Sequence, residues 1–140
     1  MATVARSVAS LRIIGDLNPE EVTRLLGASP SESQTKGEEL RGKSGHVRVA
    51  KFGAWRIHAS ETSPADLDVQ VKEILSTLTS DLTVWKELST RFDIDLFCGW
   101  FMDKENEGIG VAADTLRSLG ERGIELSLDI YAGDGDETAK

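Results

Sequence analysis

Three stretches of this chain alternate apolar and polar residues with a period of two. That pattern restricts the fold more than any other feature. Val4 to Ile14 sets Ala9, Leu11 and Ile13 against Ser10 and Arg12. Ile94 to Met102 puts Ile94, Leu96, Cys98 and Trp100 on one side and Asp95, Phe97, Gly99 and Phe101 on the other. Glu125 to Tyr131 points Leu126, Leu128 and Ile130 inward and Ser127, Asp129 and Tyr131 outward. Successive strand side chains face opposite sides of a sheet, so each stretch reads as a half-buried strand.

The segments between them carry helical punctuation. Asn18 has the short polar side chain of an N-cap, Pro19 suits the first helical position, Glu20 and Glu21 complement the positive end of the helix dipole, and Gly27 ends the helix. Ser63, Pro64 and Asp66 open a second helix with Leu67, Val71, Ile74, Leu75 and Leu78 at helical spacing. A third helix covers Leu82 to Thr90 and buries Trp85 and Leu88. A fourth begins near Ala113, presents Leu116 and Leu119, and stops at Gly123. Ala28 to Lys43 reads as a polar loop. His46 to Ser60 reads as a hairpin with a Gly53-Ala54 turn, placing Ala50, Phe52, Trp55, Ile57 and Ala59 on the core face and Val47, Val49, Lys51, Arg56 and His58 opposite.

The expected order is β-α-β-β-α-α-β-α-β. The fold class is α+β, with a single mostly antiparallel or mixed sheet of about five strands and helices packed on one face. Residues 1–131 form one domain and 132–140 a disordered acidic tail. Hydrophobic residues at 39% and charged residues at 29% are a globular balance that can fill a core. The lone cysteine, Cys98, excludes an internal disulfide and fits the cytoplasm. No apolar run approaches the roughly 20 residues of a membrane helix, so no membrane partner is expected.

Net charge is −8, unevenly spread. Residues 36–56 hold six basic side chains against two acids, which makes that segment +4 and the remainder −12. A duplex-binding protein needs a dominant basic surface to neutralise phosphates, so nucleic acid is not an expected partner.

The chemistry-bearing residues give few constellations. Cys98 sits on the apolar side of its strand, where a thiol behaves as a small hydrophobe and not as a nucleophile. His46 and His58 fall on opposite hairpin faces and cannot share an ion in that register. Asp103, Glu105, Glu107, Gly108 and Asp114 copy the spacing of a calcium loop, but long glutamates replace the shorter acids, Asp stands where a bidentate Glu belongs, and a strand precedes the loop. Neither a metal nor a cofactor is expected.

The segment LRIIGDLNPEEVTRLLGASPSESQTKGE, followed by WRI, DLFCGW and LRSLGERGIELSLDIY, resembles the bacterial family catalogued as domain of unknown function 4279, in order and over nearly the whole chain. The resemblance implies a bacterial single-domain protein and brings no activity, cofactor or catalytic residues.

Strand parity gathers a candidate surface. With the apolar sides under the helices, the opposite side collects Arg12, Lys51, Arg56, His58, Asp95, Phe97, Phe101, Asp129 and Tyr131. Of these, Arg12, Arg56, His58, Asp95, Phe97, Asp129 and Tyr131 are the binding residues expected here. Aromatic rings among charges characterise recognition surfaces. The function expected is non-enzymatic recognition of another protein, as in an antitoxin-like or immunity-like inhibitor, or of a second copy as a homodimer. The alternative is a small-molecule-binding protein or enzyme using the same face.

Overall fold

The computed structural model describes residues 2–133, so the expected tail falls outside the described residues from 134 onward. Among the described residues the chain forms β1 (Arg6–Gly15), α1 (Pro19–Leu26), β2 (Glu32–Gln34), β3 (Glu39–Arg41), β4 (Val47–Val49), β5 (Gly53–His58), α2 (Leu67–Leu75), α3 (Leu82–Arg91), β6 (Asp93–Phe101), α4 (Ala113–Glu121) and β7 (Glu125–Tyr131). This is the expected α+β order, with two further short strands inside the stretch 28–43.

Five strands make one mixed sheet in the order β2-β5-β1-β6-β7. β1 is central and pairs antiparallel with β5 and β6, while β6 and β7 run parallel across the α4 connection. Ala9, Leu11 and Ile13 of β1, Trp55 of β5, and Ile94, Leu96, Cys98 and Trp100 of β6 are buried on one face. Val22 and Leu26 of α1, Leu67, Val71 and Ile74 of α2, Trp85 and Leu88 of α3, and Leu119 of α4 close over them in one core. Helices therefore cover that face and leave the other open.

The helix ends follow the sequence closely. Asn18 Oδ1 accepts from the Glu20 amide at 2.9 Å, and Asp66 and Asp81 cap α2 and α3 through the Val69 and Thr83 amides. Such a cap is worth about 1 kcal/mol. α4 has no side-chain cap of its own. Instead Asp68 of α2 accepts from the Ala112 amide at 3.0 Å and the Thr115 hydroxyl at 2.6 Å, tying the two helices together.

The region 46–60 differs from the expected hairpin. β4 pairs with β3 in a separate two-stranded sheet, across a turn in which Gly45 takes φ 84°. β5 pairs instead with β1 and β2. Gly53 is a strand residue set opposite Gly15, and a Cβ there would lie 2.7 Å from the Gly15 carbonyl oxygen. Close backbone approach, not a turn, accounts for this glycine. Phe52, expected in the core, is 44% exposed, and Lys51 sits in the bend before β5, outside the open face. A further departure lies at α4 and β7, where Leu116, expected to face the core beside Leu119, and Leu128 and Ile130, 42% and 53% exposed, lie where the helix layer does not cover them.

A buried polar tie joins the layers. Gln70 of α2 is fully buried; its Nε2 donates to the carbonyls of Ser7 at 2.8 Å and Ser60 at 3.1 Å, and its Oε1 accepts from the Ser7 hydroxyl at 2.7 Å. Gln70→Leu strands these groups without water, and we expect it to cost about 2–4 kcal/mol in a urea titration. An unchanged midpoint would mean that the tie contributes nothing.

Cys98 is fully buried beneath the helices, and desolvation, aided by the nearby Asp95 charge, pushes its thiol from 9.0 up to about 12. The raised value makes ionisation oppose folding, so this thiol leaves stability unchanged below about pH 9 and reduces it as pH climbs toward 12. The folded protein should resist iodoacetamide at pH 8 and take up one adduct on unfolding. Modification of the folded chain at the unfolded rate would contradict the burial of this thiol.

Candidate recognition face

The open face of the sheet is built from rows of residues held opposite one another by strand register. One row crosses all five strands: Glu32, Arg56, Arg12, Asp95 and Glu125. The next carries His58, Ser10, Phe97 and Ser127. A third holds Val8, Gly99 and Asp129, and a fourth Arg6, Phe101 and Tyr131. The structure thus places all seven expected binding residues, Arg12, Arg56, His58, Asp95, Phe97, Asp129 and Tyr131, on one continuous surface.

At its centre, Arg12 donates from Nε to Asp95 Oδ1 at 2.8 Å and from Nη2 to Oδ2 at 2.6 Å. This fork is the strong form of an arginine-carboxylate pair. The hydrogen bonds to Asp95 hold the guanidinium pKa above its ordinary value against the opposing effect of burial. The same guanidinium lies 4.5 Å from the centre of the Phe97 ring, a cation–π contact.

A second cluster repeats this arrangement at the far end of the strands. Arg6 stands 3.8 Å over the Phe101 ring, which stacks on Tyr131 with centroids 4.6 Å apart. Gly99 leaves room for the ring, since a Cβ there would sit 2.9 Å from Val8 Cγ2 and 3.3 Å from Phe101 Cε2. The Tyr131 hydroxyl donates to Asp129 Oδ2 at 2.8 Å, and that bond raises the phenol pKa.

On the opposite flank His58 Nδ1 lies 2.6 Å from Ser10 Oγ, and His58 Nε2 is 3.7 Å from Glu32 Oε2. Arg56 reaches the other Glu32 oxygen at 3.5 Å. The Ser10, His58 and Glu32 side chains have the composition of a hydrolytic triad but not its geometry. The His58 to Glu32 separation is too long for a hydrogen bond, and Ser10 lies in a strand paired on both sides, whose ladder uses the amides an oxyanion hole would need.

A cleft of about 360 Å³ opens where this face meets the end of the sheet, lined by Arg12, Ile14, Asp93, Ile94, Asp95 and Glu125. Its three carboxylates outnumber one guanidinium that Asp95 already engages, so the lining is net acidic. His46 lies beside the turn of the β3–β4 sheet and does not join His58. In the Asp103 to Asp114 loop, Glu107 accepts from the Asp103 amide at 3.1 Å, and Asp114 sits in the first turn of α4. Among the described residues, no group of three or more His, Cys, Asp or Glu side chains forms a metal cluster.

Seven residues of these rows were not among those gathered from the sequence, although alternation had already turned Ser10, Gly99 and Ser127 away from the core. Arg6, Val8, Ser10, Gly99, Glu125 and Ser127 share the parity of residues that were assigned, so strand alternation alone suffices to find them. Glu32 could not be found this way, because three residues of β2 carry no periodic signal.

No curated protein and no solved structure matches this chain. A family model described as a domain of unknown function (DUF4279) matches residues 4–133, with the sheet, the four helices and every row of the open face inside the match. The chain belongs to the DUF4279 family.

Proposed function

We propose that this is a non-enzymatic binding protein whose open sheet face docks onto another protein, in the manner of an antitoxin-like or immunity-like inhibitor. The observation that carries the reading is the set of pre-paired rows: Arg12 with Asp95 and Phe97, and Arg6 with Phe101 and Tyr131, each fixed by strand register. Groups already held in place lose little entropy on binding, which favours a flat, specific interface. Phe97 and Tyr131 supply apolar area, and the surrounding charges set orientation and partner choice.

The net acidic cleft beside Arg12 suits a basic side chain of the partner, and a body of net charge −8 attracts such a partner from a distance. The same cleft favours a second reading, a small cationic ligand held between Asp93, Asp95 and Glu125. Its volume lies at the small end of ligand pockets.

The two readings separate by substitution. Burying Phe97 and Tyr131 against a partner contributes roughly 1.5–3 kcal/mol each. Phe97→Ser with Tyr131→Ser should therefore weaken partner capture from extracts of the source cells by roughly 100-fold or more, with the circular dichroism spectrum unchanged. A double variant that captures the same partner undiminished would refute the face. Loss of binding only with Asp93→Asn and Glu125→Gln would favour the small-ligand reading.

A further inference from the structure

The two edges of the sheet are unequal. β2 ends it on one side with three residues, too short to template another strand. β7 ends it on the other with seven residues, Glu125–Tyr131, and among the described residues no strand pairs with its outer side. Edge strands are ordinarily blunted by charged side chains, lysine above all, by proline or by a bulge, and the two charges of β7, Glu125 and Asp129, both lie on its open-face side. The sequence ELSLDIY contains neither lysine nor proline, and its register against β6 runs without interruption from Glu125 to Tyr131. It also leaves Leu128 and Ile130 exposed on the helix side, beside the exposed Leu116 of α4, which packs on β7.

The strand's own residues identify what fits against it. Two identical strands pair antiparallel about a two-fold axis perpendicular to the sheet, which keeps both helix layers on the same side. A two-fold through residue 127 sets Glu125 opposite Asp129, and one through 129 sets Asp129 opposite itself; both place acid against acid. A two-fold through Leu128 avoids this: Leu128 meets Leu128, Leu126 meets Ile130, Ser127 meets Asp129 and Glu125 meets Tyr131. Only that register also uses all seven residues.

We propose that β7 pairs with β7 of a second copy about Leu128, joining two five-stranded sheets into a ten-stranded one with a two-fold axis. Leu126, Leu128 and Ile130 of the two copies then form an apolar strip beneath the helix layers, covering the side chains that a single copy leaves in water. Directly opposed side chains in such a pair stand about 5 Å apart, close enough for the leucines to pack. The two open faces become one continuous surface, in which the Asp129 row of each copy runs into the Ser127 row of the other and its Tyr131 row into the other's Glu125 row. The inference is independent of the proposed function, because Leu128 points to the helix side and not into the open face.

The register predicts a self-opposed position, and charge at that position tests it. Sedimentation velocity at up to about 100 μM should give a dimer for the wild-type chain. Leu128→Lys and Leu128→Glu should each sediment as monomers with unchanged circular dichroism, because each sets like charges against one another at the axis. Mixed in equal amounts, the two variants should recover the dimer, since lysine then faces glutamate. A monomeric wild type would overturn the proposal, whether the edge is left free or taken by another segment. Persistence of the dimer in either variant, or failure of the mixture to re-form it, would overturn it equally.

Discussion

The alternation of β1 is the constraint on which everything else in this molecule rests. β1 is the central strand and is paired on both edges, so its register fixes the register of β5 and β6 and, through β6, that of β7. Leu11 and Ile13 point one way and are fully buried; Ser10 and Arg12 point the other. A slip of one residue would exchange these sets and place a guanidinium under four helices, at a cost that no local rearrangement could offset. Burial of the apolar parity thus also aligns Arg12 opposite Asp95, and the ion pair at the centre of the open face is a consequence of the core on the other side.

The same logic explains what could be read in advance. The half-buried strands β1 and β6 follow from alternation, α1 and α2 from caps at Asn18 and Asp66, and α3 from its apolar Trp85 and Leu88, its Asp81 cap emerging only in the structure. Periodicity fails where burial no longer decides the structure. β2 and β3 are held by backbone pairing and a few polar side-chain contacts, such as Gln34 Nε2 donating to the Phe52 carbonyl at 2.9 Å, and three-residue segments leave no hydrophobic period. Gly53 misled because glycine serves tight turns and close backbone contacts alike, and only the Gly15 carbonyl beside it distinguishes them. Leu128 and Ile130 misled for the opposite reason: alternation was present, but the helix layer ends short of them, and the reach of a layer depends on packing between elements far apart in sequence. Gln70 was invisible as a structural polar group because its two carbonyl partners, on Ser7 and Ser60, meet it only in the folded chain.

Stability and the proposed recognition are therefore assigned to different sides of one sheet. The helix side holds the tryptophans, the buried thiol and the Gln70 tie, all of which face inward. The open side holds pairs that are satisfied within and between its own rows, so the surface is ordered without contributing to the core. Only at β7 do the two sides converge, where apolar residues on the helix side and the Tyr131–Asp129 pair on the open side share one edge.

The central claim is that the open face is free of the core, and the neighbouring residues Leu96 and Phe97 test it most directly because they share a strand and differ only in the side to which they point. Leu96→Ala and Phe97→Ala should be compared by urea denaturation. The account predicts a loss of about 2–5 kcal/mol for Leu96→Ala and about 1 kcal/mol or less for Phe97→Ala. Equal losses would show that Phe97 belongs to a packed interior and that the sheet has no free face.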